Sequence, residues 1–320
     1  MRGCIKLCIL VSHLVTSMSD SAQTEKMNIK GPYFGEKPPG MKATIFAKGI
    51  ISTDSIEHSS PAFSPDGKLV LWTRIYSAKP AFIAEMKQTG RGWTNPTAPS
   101  FANSASDDFY PSFSVDGKKL FFSSRRPLPA GYPKNQDMWI WEVDRKNSGW
   151  GTPRPLDSTI MKGFEYAHSV SKKGTIFFSS RRPGARDFDI FAARRKNNKF
   201  LPPEILNDSI NTAGYEDGPF IAPDESYLIF ESQRLESIDS SIDLYICFKQ
   251  KDGSWTKPKN MGPQINTKYS ERFAQVSPDG KYLFFGSNRR QLTDNLYFDI
   301  YWIDTRIIDQ LKNEVLGDSN

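Results

Sequence analysis

A short strand ending in a tight turn returns five times along these 320 residues. A chain made of one repeated unit buries its apolar faces by stacking the copies against each other. The copies are Ala62-Phe63-Ser64-Pro65-Asp66-Gly67, Ser112-Phe113-Ser114-Val115-Asp116-Gly117, the degenerate Ser169-Val170-Ser171-Lys172-Lys173-Gly174, Phe220-Ile221-Ala222-Pro223-Asp224-Glu225, and Gln275-Val276-Ser277-Pro278-Asp279-Gly280. They are spaced by about 50 to 57 residues, the size of one propeller blade. In the full form of the turn, Ser-Pro-Asp-Gly, Pro presets φ, Asp bonds its own backbone, and Gly accepts the left-handed conformation that closes a hairpin.

The apolar strand after each turn, such as Leu120-Phe121-Phe122, Ile176-Phe177-Phe178, Leu228-Ile229-Phe230 or Leu283-Phe284-Phe285, is apolar on both faces. That pattern fits a strand sandwiched between neighbouring blades. A third strand follows at Asp137-Met138-Trp139, Asp189-Ile190-Phe191, Asp243-Leu244-Tyr245 and Asp299-Ile300-Tyr301; the first copy departs, with Ala81-Phe82-Ile83. An aromatic with Pro three residues on (Trp93 and Pro96, Trp150 and Pro153, Phe200 and Pro203, Trp255 and Pro258) then introduces a fourth, outer strand. The fifth copy lacks this last piece, while Thr44-Ile45-Phe46-Ala47-Lys48-Gly49-Ile50-Ile51 stands unclaimed near the N-terminus. The fold expected is therefore all-β: a five-bladed β-propeller of four-stranded blades, closed by an N-terminal strand that completes the last blade and removes the open edges.

Ser-Pro-Asp-Gly, an apolar strand, Ser-x-Arg and an Asp-Ile-Tyr-type strand together resemble the WD40-like PD40 repeat of TolB-type propellers, over nearly the whole chain after the leader. The resemblance implies the fold and exported envelope proteins that bind partners. It names no activity, because propellers serve binding, scaffolding and catalysis alike. The Ile-Asn-Thr segments at Asn211 and Asn266 also resemble repeats found beside peptidoglycan-binding modules.

Met1-Arg2-Gly3-Cys4-Ile5-Lys6, an apolar stretch from Leu7 to Val15, and small residues to Ser19 have the order of a secretory signal peptide, and the apolar run is too short to span a bilayer. The expected organisation is a signal peptide over 1–19, a leader over 20–40, the propeller over 41–304 and a charged tail over 305–320. A periplasmic or secreted protein follows, without stable membrane insertion or a lipid-anchor context at Cys4 or Cys8. Cys247 would be the one cysteine of the mature chain, so its core and not a disulfide must hold the fold. With a net charge of +6 and Lys and Arg scattered among acids, nucleic acid is not indicated; the partner classes left are an envelope protein or a polysaccharide, bound by a monomer.

Strand direction puts two residue classes on the face opposite the Asp-Gly turns. Counted back from each turn, one class holds His58, Asp108, Glu165, Glu216 and Glu271. The other follows the second strand, with Arg125 and Arg126, Arg181 and Arg182, Arg234, Arg289 and Arg290, and Arg74 near the matching place. A ring of acids facing a ring of bases at the channel mouth can be a set of clamps copied with the repeat. Alternatively, it can line a ligand site together with the loops around Tyr110, Tyr132, Tyr215 and Tyr297, the longest running from Arg126 to Asp137, Arg234 to Asp243 and Arg290 to Asp299. The ligand-binding candidates are thus His58, Asp108, Glu165, Glu216, Glu271, Arg126, Arg182, Arg234 and Arg289.

Motifs for chemistry are sparse. There is no G-x-S-x-G elbow, no Gly-rich phosphate loop, no sialidase-type Asp box and no set of histidines for a metal, so no cofactor or metal is expected. His168, where three other copies carry Pro, is expected to be a satisfied strand residue. Asp108, Glu216 and Glu271 could act as paired carboxylates on a sugar. The expected function is partner binding by an exported propeller through its loop face; the alternative is a carbohydrate-active enzyme, glycoside hydrolase or lyase, using those carboxylates.

Overall fold

The computed structural model describes residues 29–53, 56–76, 79–132, 138–197, 199–234, 237, 241–290 and 297–317; the segment 1–19, expected to be a signal peptide, and the start of the expected leader lie outside them. Five antiparallel sheets form five blades, I to V in chain order of the repeats. Each has an innermost strand before the Asp-Gly turn, a second strand after it, a third, and a short outer one. In blade IV these are Glu216–Ile221, Tyr227–Ser232, Asp243–Phe248 and Lys259–Asn260.

The turns are built as the sequence suggests. Ser64 donates to Asp66, whose carboxylate accepts from the Lys68 N–H, and Gly67 N–H closes onto Ser64 O at 2.8 Å. The arrangement recurs at Ser114–Gly117 and Ser277–Gly280. In blade IV Glu225 takes the glycine's place at φ 64° and sends its carboxylate to Ser171 and Lys173 of blade III. The second strands are buried on both sides, with Trp72, Phe122, Phe178, Phe230, Phe284 and Phe285 closed to solvent. Their side chains collect into clusters between adjacent blades, the interfaces that stack the repeats.

Thr44–Ile45 pairs antiparallel with the third strand of blade V, Thr44 opposite Trp302 and Ile45 opposite Tyr301, and Phe46 N–H reaches Ile300 O at 2.7 Å. The N-terminal strand therefore closes the ring.

Two segments have more structure than their sequences led us to expect. Residues 29–40 of the leader strap blade V to blade I. Phe34 is buried against Phe46 and Trp93, Tyr33 donates to Asp279 at 2.8 Å, and the Trp93 indole and backbone N–H groups donate to the Gly31 and Ile29 carbonyls. Gly92 permits that approach, since a Cβ there would stand 2.4 Å from the Ile29 oxygen. The tail folds into helix α1 (Arg306–Leu316), which buries Ile307, Ile308 and Leu311 against Ile45 and Met41.

Candidate functional site

The acids and arginines counted from the turns meet in pairs inside their own blades. Arg126 holds Asp108 at 2.6 Å, Arg182 holds Glu165 at 3.1 Å, Arg234 approaches Glu216 to 3.6 Å and Arg289 holds Glu271 at 3.1 Å. All four carboxylates are buried. Each guanidinium also donates to a carbonyl in the preceding inter-blade connection, at Phe101, Ile160, Ile210 and Ile265. Each lies over a second-strand phenylalanine, Phe122, Phe178, Phe230 or Phe285.

Hydrogen bonds occupy the carboxylates as well: Glu216 accepts from Thr212 N–H and hydroxyl and from Ser232, and Glu271 from Thr267 and Ser287 in the same way. Burial pushes the carboxyls of Asp108, Glu165 and Glu271 up, against the pull of these donors. The two rings thus do not face one another across an open mouth; the pairs tie each blade to the connection entering it. Arg125 and Arg181 instead make half-exposed pairs with Asp107 and Asp187, and Arg290 pairs with Asp299.

Blade I departs by one residue. Glu57 and not His58 stands opposite Arg74, and Thr53 donates to Glu57 at 2.8 Å as Thr212 does to Glu216. The innermost segment covers 57 to 62 while its partner covers 74 to 71; in blade II the spans are 108 to 112 and 124 to 121, so blade I carries one more residue. Counting from the turn therefore lands on the wrong neighbour. Glu57 is fully buried, its Oε2 has no hydrogen-bond partner among the described residues, and burial pushes its carboxyl up to about 8.

The residue after each clamp carboxylate differs from blade to blade: His58, Phe109, Tyr166, Asp217 and Arg272. These residues come together around the channel. His58 Nε2 lies 3.2 Å from the Tyr166 hydroxyl, and its ring packs against Phe109, Tyr110 and Phe273. Arg272 donates to Glu231 at 2.6 Å, to Asp217 at 3.3 Å and to the Tyr215 hydroxyl, which in turn donates to Asp217.

Bulges in the innermost strands of blades II, IV and V place Tyr110, Gly218 and Phe273 at left-handed φ of 53°, 58° and 61°, aiming neighbouring side chains at the axis. At Gly218 a Cβ would lie 2.2 Å from Glu231 Oε1, so the glycine makes room for the carboxylate. Burial holds His58 neutral, with its pKa lowered to about 3, and pushes Glu231 up to about 7. Among the described residues no three His, Cys, Asp or Glu side chains gather as a metal site.

Sequence reasoning reached His58, Tyr110 and Tyr215 but passed over Phe109, Tyr166, Asp217, Glu231 and Arg272. The available signal was the non-repeating position directly after a repeating one. Of the loop tyrosines, Tyr132 packs on Trp139 and Tyr297 is half-buried. The three long loops lie partly outside the described residues.

No family model and no curated protein sequence matches the chain. Among solved structures, the endo-arabinase of Bacteroides thetaiotaomicron superposes with a TM-score of 0.51 at 13% identity, covering 79% of this chain and 94% of that one. A putative TolB from Agrobacterium tumefaciens matches with a TM-score of 0.49 at 20% identity over 76% and 73% of the two chains. TolB from Acinetobacter baumannii matches with a TM-score of 0.40 at 20% identity, over 63% of this chain and 45% of its own. At these identities the likeness is one of fold.

Proposed function

We propose that the chain is an exported binding propeller that holds a protein or polysaccharide partner on its loop face. The observation carrying this reading is the set His58, Phe109, Tyr166, Asp217 and Arg272. The clamps beside it are copied in four blades, whereas this ring carries a different side chain in each blade, and a feature that escapes the repeat is where a repeat protein specialises. Half-exposed aromatic rings around a buried Arg–carboxylate network supply stacking area and fixed hydrogen-bonding groups, the mixture found at binding hot spots. Export is supported by the charge, apolar run and small residues of the first 19 positions.

The test is capture and titration of envelope proteins and polysaccharide fragments on the mature chain, compared with Phe109→Ala and Tyr166→Ala. Binding at this ring should weaken about ten-fold or more in these variants, with the melting temperature held. Equal binding by all three chains would refute the reading.

The enzyme alternative keeps one observation: Glu231, with its carboxyl near neutrality beside Asp217, has the proton affinity wanted of an acid–base group. It is fully buried and paired with Arg272, however, and Asp108, Glu216 and Glu271 are engaged in clamps. Turnover of an oligosaccharide that disappears in Glu231→Gln while the fold persists would establish it.

A further inference from the structure

The opposite mouth, among the Asp-Gly turns, has a different chemistry. Phe63, Phe113, Val170, Phe220, Ile221 and Val276 wall a funnel of ≈ 190 Å³. Pro65, Pro223 and Pro278 form an exposed rim, so the funnel is open to solvent. Further along the channel lies a smaller cavity of ≈ 40 Å³; Ser112 and Gln275 line both, making them consecutive chambers of one passage.

The small chamber is lined by Ser60, Ser112 and His168, each more than nine-tenths buried. Their polar atoms, Oγ, Oγ and Nε2, have no hydrogen-bond partner among the described residues. Three such atoms on one small cavity are costly unless a ligand or water serves them.

The proton on His168 can be located from its neighbours. Nδ1 lies 3.3 Å from the Ser123 hydroxyl and 3.4 Å from Tyr166 O, while Ser123 gives its own hydrogen to Tyr166 O at 2.6 Å. Both neighbours offer lone pairs to Nδ1, which favours the tautomer with its hydrogen there and Nε2 as the acceptor, although the Phe121 carbonyl also lies near the ring. Burial also keeps the ring neutral, its pKa lowered to about 4. Pockets for small molecules commonly have this form, an apolar body with a few fixed polar groups at one end. A cavity of about 150 Å³ already accepts benzene.

We propose that this turn-face passage is a binding site for a small apolar molecule ending in a hydrogen-bond donor, a phenol or an alcohol. The apolar body fills the funnel and the terminal hydroxyl donates to His168 Nε2 while accepting from Ser60 or Ser112. The funnel opens at the other end of the channel from the loop-face ring, the small chamber backs onto that ring at Tyr110, Gly218 and Phe273, and the inference does not rest on the function proposed there.

The test uses 4-methylphenol and toluene, nearly equal in shape and differing in the hydroxyl, titrated calorimetrically into the mature chain. The phenol should bind about ten-fold more tightly, the worth of one buried hydrogen bond. His168→Phe should bring the ratio near one, and Val276→Trp, a half-exposed wall position, should abolish binding of both. Where His168→Phe does not fold, His168→Leu carries the same comparison, while Ser60→Ala with Ser112→Ala, which leaves Nε2 in place, should lower the ratio only in part. Equal affinities, no binding of either probe, or a phenol preference that survives Val276→Trp would each overturn the assignment; the first two would leave the chamber to water alone.

Discussion

Glu57 allows a test of the clamp logic in the one blade where the clamp is altered. In blades II to V the carboxylate meets a guanidinium two residues beyond its cross-strand serine. In blade I Arg74 takes the serine's place and Tyr76 falls where that arginine would be. Burial dominates the Glu57 environment, Thr53 and Arg74 offset it only in part, and Asp299 adds to it, so the carboxyl rises from 4.5 to about 8.

A carboxyl whose pKa is higher folded than unfolded favours the folded state fully below the unfolded value and loses that contribution as pH rises through the folded one. For 4.5 against about 8, integration between pH 5 and pH 7.5 gives a loss of about 3 kcal/mol. Glu57→Gln removes the titration, keeps the Thr53 bond through its amide oxygen and fixes the side chain neutral. His58 and His168, both with lowered pKa, stabilise above their unfolded value and lose that as pH falls, but they do so equally in both proteins and cancel. Urea denaturation of wild type and Glu57→Gln at half-unit steps from pH 5 to pH 8 measures the difference. The variant should gain about 3 kcal/mol relative to wild type across the range. A difference independent of pH would mean that Glu57 is ionised throughout and paired with Arg74 after all.

The intact clamps should behave oppositely. Glu216→Gln and Glu271→Gln leave a buried guanidinium without its charge partner, and each should cost about 3–5 kcal/mol, read as a fall in melting temperature; an unchanged melting temperature would contradict the clamp assignment. Gly92→Ala must move Ile29 and so loosen the strap, at about 1–3 kcal/mol, with faster proteolysis or hydrogen exchange at residues 29–40 as the readout and unchanged protection as the refutation. Leu311→Ala opens a void under α1 and should cost about 2–4 kcal/mol, whereas a helix with no part in the core would tolerate it.

The architecture was legible because its signals are local and copied. The turn at Ser64–Gly67 returns with the same Ser, Asp and Gly in three of the five copies, and the missing outer strand after Trp302 had a counterpart at Thr44–Ile45. Helix α1 was also legible: Ile307, Ile308, Leu311 and Val315 follow a helical stripe, set within a segment rich in charge. The strap was not legible. Tyr33 and Phe34 have no period, and their partners Asp279 and Trp93 are far along the chain.

The candidate site shows where reading by repeats stops working. Counting from the turn assigned His58 to the acid ring because blade I has one extra residue, although Thr53, four places before Glu57 as Thr212 is before Glu216, marked the right position. Aligning copies also favours positions that agree, and those hold the blades to their connections. The non-agreeing neighbours, from His58 to Arg272, meet only after the ring closes, and they differ because each faces a shared axis from a different direction. The chamber at Ser60, Ser112 and His168 is the limiting case. Its three polar atoms belong to blades I, II and III, no copy contains more than one of them, and the property they share, the lack of a partner, belongs to the assembled channel rather than to any segment.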